Sequence, residues 1–338
     1  MWMMVKMRDV AREAGVSEAA VSFAINGTGS LSEETRQSIL SVVKRLNYKP
    51  NSTARKLATK KTNTIGLIIP KPGQEFVDFV GMDIISGIGK VASDRGYNIL
   101  LAWEDEMGSS KVLELVENGS VGGLTFFLPL NDQKTFQHLN DMNFPYVLMS
   151  RAPSGLPCNW VDVDNVDASY QATLLLIKAG HRRIAFIGPG PTDLLVSSDR
   201  HTGYRQALLN YNIPYDESIV FLGLGNIESG RLATEGFMAL SEPPTALITG
   251  SSMPAMGVIE KIKELGLEVP KDLVIITFDN SYISENYGIT AIDIPTHEIA
   301  QQSANLLFKK IPITHRTEPE NIVIKHKLVV RNTFTPLE

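Results

Sequence analysis

Residues 7–26, MRDVAREAGVSEAAVSFAIN, carry two short helical patterns on either side of a glycine. Apolar residues of the first pattern recur at the spacing of one helix face, at Met7, Val10, Ala11 and Ala14. Gly15 offers a position where a positive φ costs little, and the hydroxyl of Ser17 can cap a second helix. The apolar face of that second helix consists of Val21, Ala24 and Ile25. Since small alanines let two helices cross closely, the stretch predicts a helix-turn-helix.

The opposite face of the second helix is left for contact with a partner, and it carries Glu18, Ala19, Ser22 and Phe23. In a helix-turn-helix the second helix lies in the major groove of DNA. The candidates for DNA contact are therefore these four residues together with Arg8, Ser17 and Asn26. The alternative is an ordinary pair of packed helices with no nucleic-acid partner.

A third helical pattern follows the pair. Ser32 can cap it, and Glu33 and Glu34 stand in its first turn, where negative charge is favourable. Its apolar face consists of Ile39, Val42, Val43 and Leu46. The pattern predicts a three-helix DNA-binding domain over residues 1–49.

Residues 50–61, PNSTARKLATKK, form a basic segment after this domain. A helix over residues 52–58 would be too short to be stable alone in water, so it needs a partner surface. Leu57 lies among basic residues, where it can wedge between base steps in the minor groove. The segment is predicted to be a hinge whose DNA contacts come from Asn51, Ala54, Arg55 and Leu57. A flexible charged linker is the alternative.

Charge divides the chain in the same place. Residues 1–61 hold 11 basic and 5 acidic side chains, a net charge of +6, whereas the remainder holds 21 and 32, a net charge of −11. The overall charge of −5 therefore hides a basic head on an acidic body. A basic head attracts phosphate in a salt-dependent way.

Cysteine and hydropathy indicate the compartment. Cys158 is the only cysteine, so no intrachain disulfide is possible. The apolar part of MWMMVKMRDV is too short for a signal peptide, and no segment reaches membrane-spanning length. We expect a cytoplasmic protein without membrane association.

From residue 62 onward, short apolar runs typical of strands alternate with helical patterns. The first set of strands is expected at 65–70, 97–103, 121–128 and 146–150. A second set is expected at 159–163, 184–188, 219–222, 245–249 and 273–278. Strand and helix in alternation predict parallel sheets covered on both faces, here as two similar lobes. Ligands of such sheets bind beyond the carboxyl ends of the strands, which places a cleft between the lobes.

The chain resembles the lac repressor family of transcription regulators in blocks spread over nearly its whole length. These blocks are DVAREAGVS, the VS and IN of VSFAIN, SEETR, LNYKPNSTARKLA, IGLIIP, GHRRIAFIG, RHTGYRQAL, PPTALIT, VPKDLVIITFD and LVVRNT. The resemblance implies an N-terminal all-α helix-turn-helix domain and an α/β two-lobed effector domain like the type I periplasmic binding proteins. It also implies a homodimer that binds double-stranded operator DNA, with affinity set by a small-molecule effector such as a sugar.

By the same resemblance the chain crosses between lobes near 162–165, 290–295 and 324–328. The body at 62–338 then divides into a first lobe, about 62–162 and 291–325, and a second lobe, about 163–290 and 326–338.

Two residues match effector-binding positions of the family, Arg200 in DRHTGY and Asp279 in TFDN. An arginine fork and a carboxylate suit polyhydroxylated or acidic small molecules, although an ion pair that stabilises a loop is the alternative. Phe76, Ser150, Trp160 and Ser251 complete the predicted effector site.

Departures from the family pattern fall at this site. Ser150 stands where many members have aspartate, and Gly225 stands where an aromatic ring often stacks on the ligand. Ser251 and Ser252 replace an Asn-Asp pair, and PGQEFV at 72–77 keeps only Phe76 of the usual loop. Phe76, Trp103 and Trp160 can supply other stacking surfaces, although aromatic residues are more often part of a core. Too much of the sugar-type site is missing to name a sugar.

Enzyme function is not indicated. The sequence has no G-x-S-x-G, Walker loop or full G-x-G-x-x-G, and its histidines show no metal-ligand spacing. We expect no cofactor and no metal. The competing class is a stand-alone binding protein for transport, which neither the basic head nor the missing secretion signal favours.

The side chains of the second helix predict an unusual operator. Phe23 replaces a common arginine and cannot pair with guanine, but it can pack on a thymine methyl group, while Glu18 can accept a hydrogen bond from cytosine. Selection of bound sequences from a random DNA pool should therefore return thymine opposite Phe23. A strong requirement for guanine at that position would contradict this prediction.

Overall fold

The computed structural model describes residues 5–48, 62–69, 78–103, 110–313, 315 and 317–336. The chain divides into two compact units, the first ending at Thr62 and the second beginning at Asn63. The hinge helix predicted at 52–58 lies outside the described residues, and so do its candidate contacts Asn51, Ala54, Arg55 and Leu57. Phe76 lies outside them as well. No helix in the described ranges is long and apolar enough to span a membrane.

The first unit contains three helices, α1 (Met7–Ala14), α2 (Glu18–Asn26) and α3 (Glu33–Arg45). Helix α1 ends where Gly15 adopts a φ of 65°. The Ser17 hydroxyl accepts the Ala20 N–H at 3.2 Å at the start of α2, and Ser32 caps α3 in the same way. Local sequence signals therefore begin and end each helix, and the predicted helix-turn-helix is confirmed.

The core of this unit is built by the predicted faces, with one addition. Its buried residues are Val10, Ala11, Val21, Ala24, Ile39, Val42 and Tyr48. Tyr48 follows the end of α3, outside the helical periodicity, so the pattern did not reveal it. Arg45 on α3 also pairs with Glu13 on α1 at 2.8 Å.

The second unit contains two six-stranded sheets. In chain order its first elements are β1 (Thr64–Ile69), α4 (Asp78–Asp94), β2 (Asn98–Trp103), α5 (Ser110–Glu117), β3 (Leu124–Phe127), α6 (Gln133–Asp141), β4 (Tyr146–Met149) and β5 (Asn159–Val163). They are followed by α7 (Asn165–Lys178), β6 (Ile184–Ile187), α8 (Leu195–Asn210), β7 (Val220–Phe221), α9 (Ile227–Met238), β8 (Ala246–Thr249), α10 (Ser252–Glu264) and β9 (Val274–Phe278). The last elements are α11 (Tyr282–Asn286), β10 (Thr290–Asp293), α12 (Thr296–Lys310), β11 (Asn321–Ile324) and β12 (Lys327–Val329).

The first sheet has the strand order β11-β5-β4-β3-β1-β2, and all of its neighbouring strands are parallel. The second sheet has the order β12-β10-β9-β8-β6-β7 and is parallel except for β12. We call the first sheet with α4, α5, α6 and α12 the first lobe, and the second sheet with α7–α11 the second lobe. The predicted two-lobed α/β body is thus present.

The chain passes between the sheets three times, after β5, after β10 and after β11. One predicted boundary differs. The first lobe was expected to resume near residue 291, but β10 pairs with β9 and remains in the second sheet. The passage therefore lies at Ile294 and Pro295, because the ladder of the second sheet continues through Asp293.

Helices α7 and α8 of the second lobe pack at close range because α8 contains a glycine. A Cβ at Gly203 would lie 2.1 Å from the Val166 carbonyl oxygen and 2.9 Å from the Ser169 Cβ. Gly203 therefore sets the separation of these two helices. On α9, by contrast, a Cβ at Gly236 would meet nothing within 4 Å.

These two helical glycines predict opposite effects of one substitution. Gly203→Ala should lower the free energy of unfolding by about 2 kcal/mol, because backbone must shift to admit the methyl group. Gly236→Ala should raise it by about 0.5–1 kcal/mol, because alanine loses less backbone entropy in a helix. Urea unfolding of both variants measures the difference. Equal effects would contradict the close packing of α7 on α8.

Candidate functional site

Helix α2 presents the predicted DNA-contacting face to solvent. Glu18 and Ala19 are exposed, and Ser22 is half-buried. Arg8 on α1 is exposed as well. Ser17 has a second role, because its hydroxyl caps α2. The side chain of Asn26 lies outside the described residues.

Phe23 is fixed on this face by a glycine. Its side chain is 43% exposed, yet a Cβ placed at Gly29 would lie 2.7 Å from the ring. The ring therefore rests on the backbone of the loop between α2 and α3. A large apolar surface in a fixed position suits contact with another apolar surface and offers no hydrogen bond.

A cleft lies at the carboxyl ends of the strands of both lobes. Its empty volume, including space that is open to solvent, is about 660 Å³, and most of its lining is apolar. Of the predicted effector residues, Ser150, Arg200, Ser251 and Asp279 line it. They follow β4, lie on α8, and follow β8 and β9, respectively. The expectation that loops after the strands line a cleft thus brings four of the six candidates together.

Trp160 does not line the cleft. It packs against the apolar cluster on the α5 and α6 side of the first sheet. The physical reason is its position within β5, since Asp162, two residues nearer the carboxyl end of the strand, reaches the cleft. Trp103 is 46% exposed on the edge strand β2 and is not part of the lining either.

Arg200 is buried and contacts three segments of the second lobe, the start of α7, the loop after β8 and the end of β9. Its Nε donates to Asn165 Oδ1 at 2.8 Å, and its Nη1 donates to the Gly250 carbonyl oxygen. The guanidinium carbon lies 3.9 Å from the centroid of the Phe278 ring. Burial lowers the pKa of Arg200, against the attraction of Asp279. These partners are an amide, a carbonyl and an aromatic ring, not the carboxylate that a loop ion pair would need.

Asp162 and Asn165 are functional candidates that the sequence analysis did not select. Asn165 Nδ2 lies 3.0 Å from both carboxylate oxygens of Asp162, so one amide orients the carboxylate and Arg200 together. Burial raises the pKa of Asp162 to about 6, although the N–H groups of Val163 and Arg151 donate to the carboxylate and act in the opposite direction. Their position at the end of β5 was the signal that could have found them.

Asp279 stands at a strained turn after β9. Its φ of 70° is uncommon for a residue with a side chain, and its backbone carbonyl accepts the Ser284 hydroxyl at 3.1 Å. Burial raises the pKa of this carboxyl group, and Arg200 opposes the shift.

Two hydroxyl groups of the cleft lack partners. Ser150 Oγ and Ser251 Oγ are both buried, and neither forms a hydrogen bond within the described part of the chain. Buried polar atoms are nearly always paired, so these two mark a place where a bound molecule can complete the bonding.

No side chain fits at Gly225. Its φ is 72°, and a Cβ there would lie 1.9 Å from the Pro189 carbonyl oxygen. A Cβ at Gly250 would meet Pro189 N at 2.3 Å. The loops after β6, β7 and β8 therefore approach so closely that an aromatic platform at residue 225 is excluded.

The two lobes touch beside the cleft. Asn131 N donates to the Asp193 carbonyl oxygen at 2.9 Å, and Leu130 bridges to Leu194. Arg151, which follows β4, pairs with Asp164 at 3.0 Å and with Asp199 on α8 at 3.5 Å. Backbone bonds and one guanidinium thus connect the first lobe to the second.

Comparison with known proteins gives two family matches. The family of bacterial regulatory proteins of the lacI type matches residues 6–51, and the periplasmic binding protein-like domain matches residues 174–334. The first range corresponds to the helical unit. The second range covers most of the second lobe together with α12 and β11 of the first lobe.

Relatives match the chain over nearly its full length. Catabolite control protein A of Priestia megaterium is 34% identical over 312 residues, covering 91% of this chain and 92% of that protein. The HTH-type transcriptional regulator CelR of Thermobifida fusca is 31% identical over 331 residues and covers 96% of both. A solved complex of the transcriptional regulator CelR with cellobiose is 30% identical, with a TM-score of 0.74 over 98% of this chain and 100% of that chain.

The ion pairs of Arg151 predict a salt-dependent contribution to stability. Arg151→Gln should lower the free energy of unfolding by about 0.5–1 kcal/mol at low salt, and the loss should shrink in 1 M NaCl because partly exposed pairs are screened. Urea unfolding at both salt concentrations measures it. Lys90→Gln is the control, since its pair with Asp94 lies within α4. A larger loss for Lys90→Gln would contradict the bridging role of Arg151.

Proposed function

The chain belongs to the lacI family of bacterial regulatory proteins, and from this we propose that it is a repressor whose operator affinity is set by a small molecule in the cleft. The observation that carries the proposal is the combination of an exposed recognition helix with a cleft that holds a buried, fully oriented arginine. The net positive charge of the basic head attracts DNA in the cytoplasm, whereas the acidic body, with its net negative charge, does not attract DNA.

We propose a homodimer as the active form. Two recognition helices related by two-fold symmetry can occupy two half-sites one helical turn apart, whereas one copy reads only a half-site. The basic segment at 50–61 would then be present twice, with Leu57 of each copy near the centre of the operator.

Control by the effector follows from the three passages between lobes. A molecule that contacts both lobes changes their relative position only if it binds one arrangement more tightly than the other. The first lobe begins at β1, directly after the segment that leads to the DNA-binding head. A shift of this lobe changes the distance between the two hinge segments of a dimer, and a marginal helix forms or melts in response.

The second candidate function is a stand-alone binding protein for transport, which the two-lobed body alone would support. Gel shifts of the full chain with genomic fragments separate the two functions. The proposed regulator forms sequence-selective complexes that weaken steeply as salt rises, since binding releases counterions from phosphates. A transport receptor forms no such complex on any fragment.

The same binding assay tests the role of Arg200. A screen of metabolites by thermal shift identifies compounds that stabilise the parent chain, because a ligand of the native state raises its melting temperature. Arg200→Ala should abolish the effect of such a compound on operator affinity. Arg231→Ala is the matched control, because Arg231 pairs with Glu260 and Glu264 on the surface of α9 and α10.

Operator binding without the compound shows that each variant is folded. A compound that acts equally on Arg200→Ala, Asp279→Ala and the parent chain would contradict the proposed effector site.

A further inference from the structure

We infer that the cleft takes an uncharged ligand with an apolar alkyl or aryl body and one polar head that both accepts and donates hydrogen bonds, such as a primary amide. This inference rests on the proposed function, since it names the class of effector for the same cleft. Four features carry it: the apolar walls, the cluster of polar groups around Arg200, the charge balance, and the contact between lobes.

Among the described residues, the first lobe lines the cleft mainly with apolar side chains. Phe127 ends β3, Leu128 follows it, and Met149 ends β4. The polar lining residues of this lobe are Ser150, Asp162 and Thr296. Ile84 and Ile299 add aliphatic surface from α4 and α12. A polyol would place most of its hydroxyl groups against these side chains, where the hydroxyls lose water and gain no partner. An alkyl or aryl body gains from the same surface.

Polar groups of both lobes cluster around Arg200, since Asn165 links Arg200 to Asp162 of β5. Arg200 uses Nε and Nη1 in its described hydrogen bonds, which leaves Nη2 as a donor. The hydroxyl groups of Ser150 and Ser251 are buried and unpartnered. One carbonyl or amide oxygen can accept from this set, and the Asp279 carboxylate can accept a ligand N–H.

The charges of the cleft disfavour an ionised head. Arg200 lies in the field of Asp162 and Asp279, so its charge is already compensated. A ligand carboxylate would be a third anion at a site where Arg200 is the only cation among the described lining residues. The two carboxylates would attract a ligand ammonium, but an ammonium has no lone pair to accept from Arg200 Nη2, so that donor would stay unpaired beside a like charge. A neutral head avoids both costs, since an unpaired charge in a low-dielectric site is unfavourable.

The apolar surface extends across the cleft to the contact between lobes. Leu128 and Leu130 of the first lobe pack with Leu194 and Val196 of the second lobe. Three of these side chains, Leu128, Leu194 and Val196, also line the cleft. An apolar body in the cleft therefore touches side chains of both lobes, and its presence favours the arrangement in which these lobes are in contact.

A matched panel of probes tests the inference on the full chain. Phenylacetamide and hexanamide carry the proposed head, phenylacetate and 2-phenylethylammonium carry charged heads on a similar aryl body, and glucose and cellobiose are the sugars. Thermal shift at equal concentrations should show a rise in melting temperature with the two amides and none with the sugars. Titration of the shift gives an apparent dissociation constant for each active probe.

Two methionine variants test whether the amides bind in the cleft. Met149→Gln replaces an apolar wall by an amide of similar shape and should weaken amide binding about tenfold, the cost of removing one buried apolar side chain. Met142→Gln is the matched control, because Met142 is exposed after α6 and does not line the cleft. It should leave amide binding unchanged.

The possible outcomes separate this inference from the proposed function. A rise with glucose or cellobiose and not with the amides would overturn the ligand class, and so would the absence of any rise. A stronger effect of phenylacetate or 2-phenylethylammonium than of phenylacetamide would overturn the neutral head. The proposed function is tested in the same preparations by operator binding without probe, and it stands or fails on that measurement alone.

Discussion

The burial of Arg200 is the constraint on which the rest of the body depends. A guanidinium removed from water is tolerated only where hydrogen bonds and nearby negative charge replace hydration. Here Asn165, the Gly250 carbonyl and the Phe278 ring supply that replacement from the start of α7, the loop after β8 and the end of β9. The carboxyl edge of the second sheet is therefore organised around the Arg200 guanidinium. The segments that converge there have little freedom to adopt another conformation.

The surface that the first lobe presents to this edge is less polar. This lobe offers mainly apolar side chains such as Phe127, Leu128 and Met149 to the cleft, together with Ser150 and Asp162, and Arg151 lies at the side. The directional contacts between the lobes are few, namely the Asn165 amide on Asp162, the Arg151 ion pairs and the Asn131 backbone bond. A shift of one lobe against the other must therefore break or rearrange these bonds.

The sequence predicted most where the signal was local. The apolar faces of α1–α3 follow from spacing, and β1–β9 follow from short apolar runs, whereas β10, β11 and β12 were not predicted. It was harder to predict which residues at strand ends line the cleft. Trp160 was chosen for its aromatic ring and lies too far from the end of β5, whereas Asp162 and Asn165 lie at that end. Which residue reaches a cleft depends on its distance along the strand, and that distance cannot be read from residue type.

The close approach of Pro189 to Gly225 and Gly250 also limits how this site can change through substitution. Since the carbonyl oxygen of residue 189 occupies the space of a side chain at 225, any single replacement there meets backbone, and a compensating rearrangement of the loop after β6 must come first. A variant that carries only the loop rearrangement is at a disadvantage, because its loop is loosened and it has gained no new ligand contact. A chain with an aromatic ring at residue 225 is therefore separated from this one by at least two coupled changes, one in the loop after β6 and one at residue 225 itself.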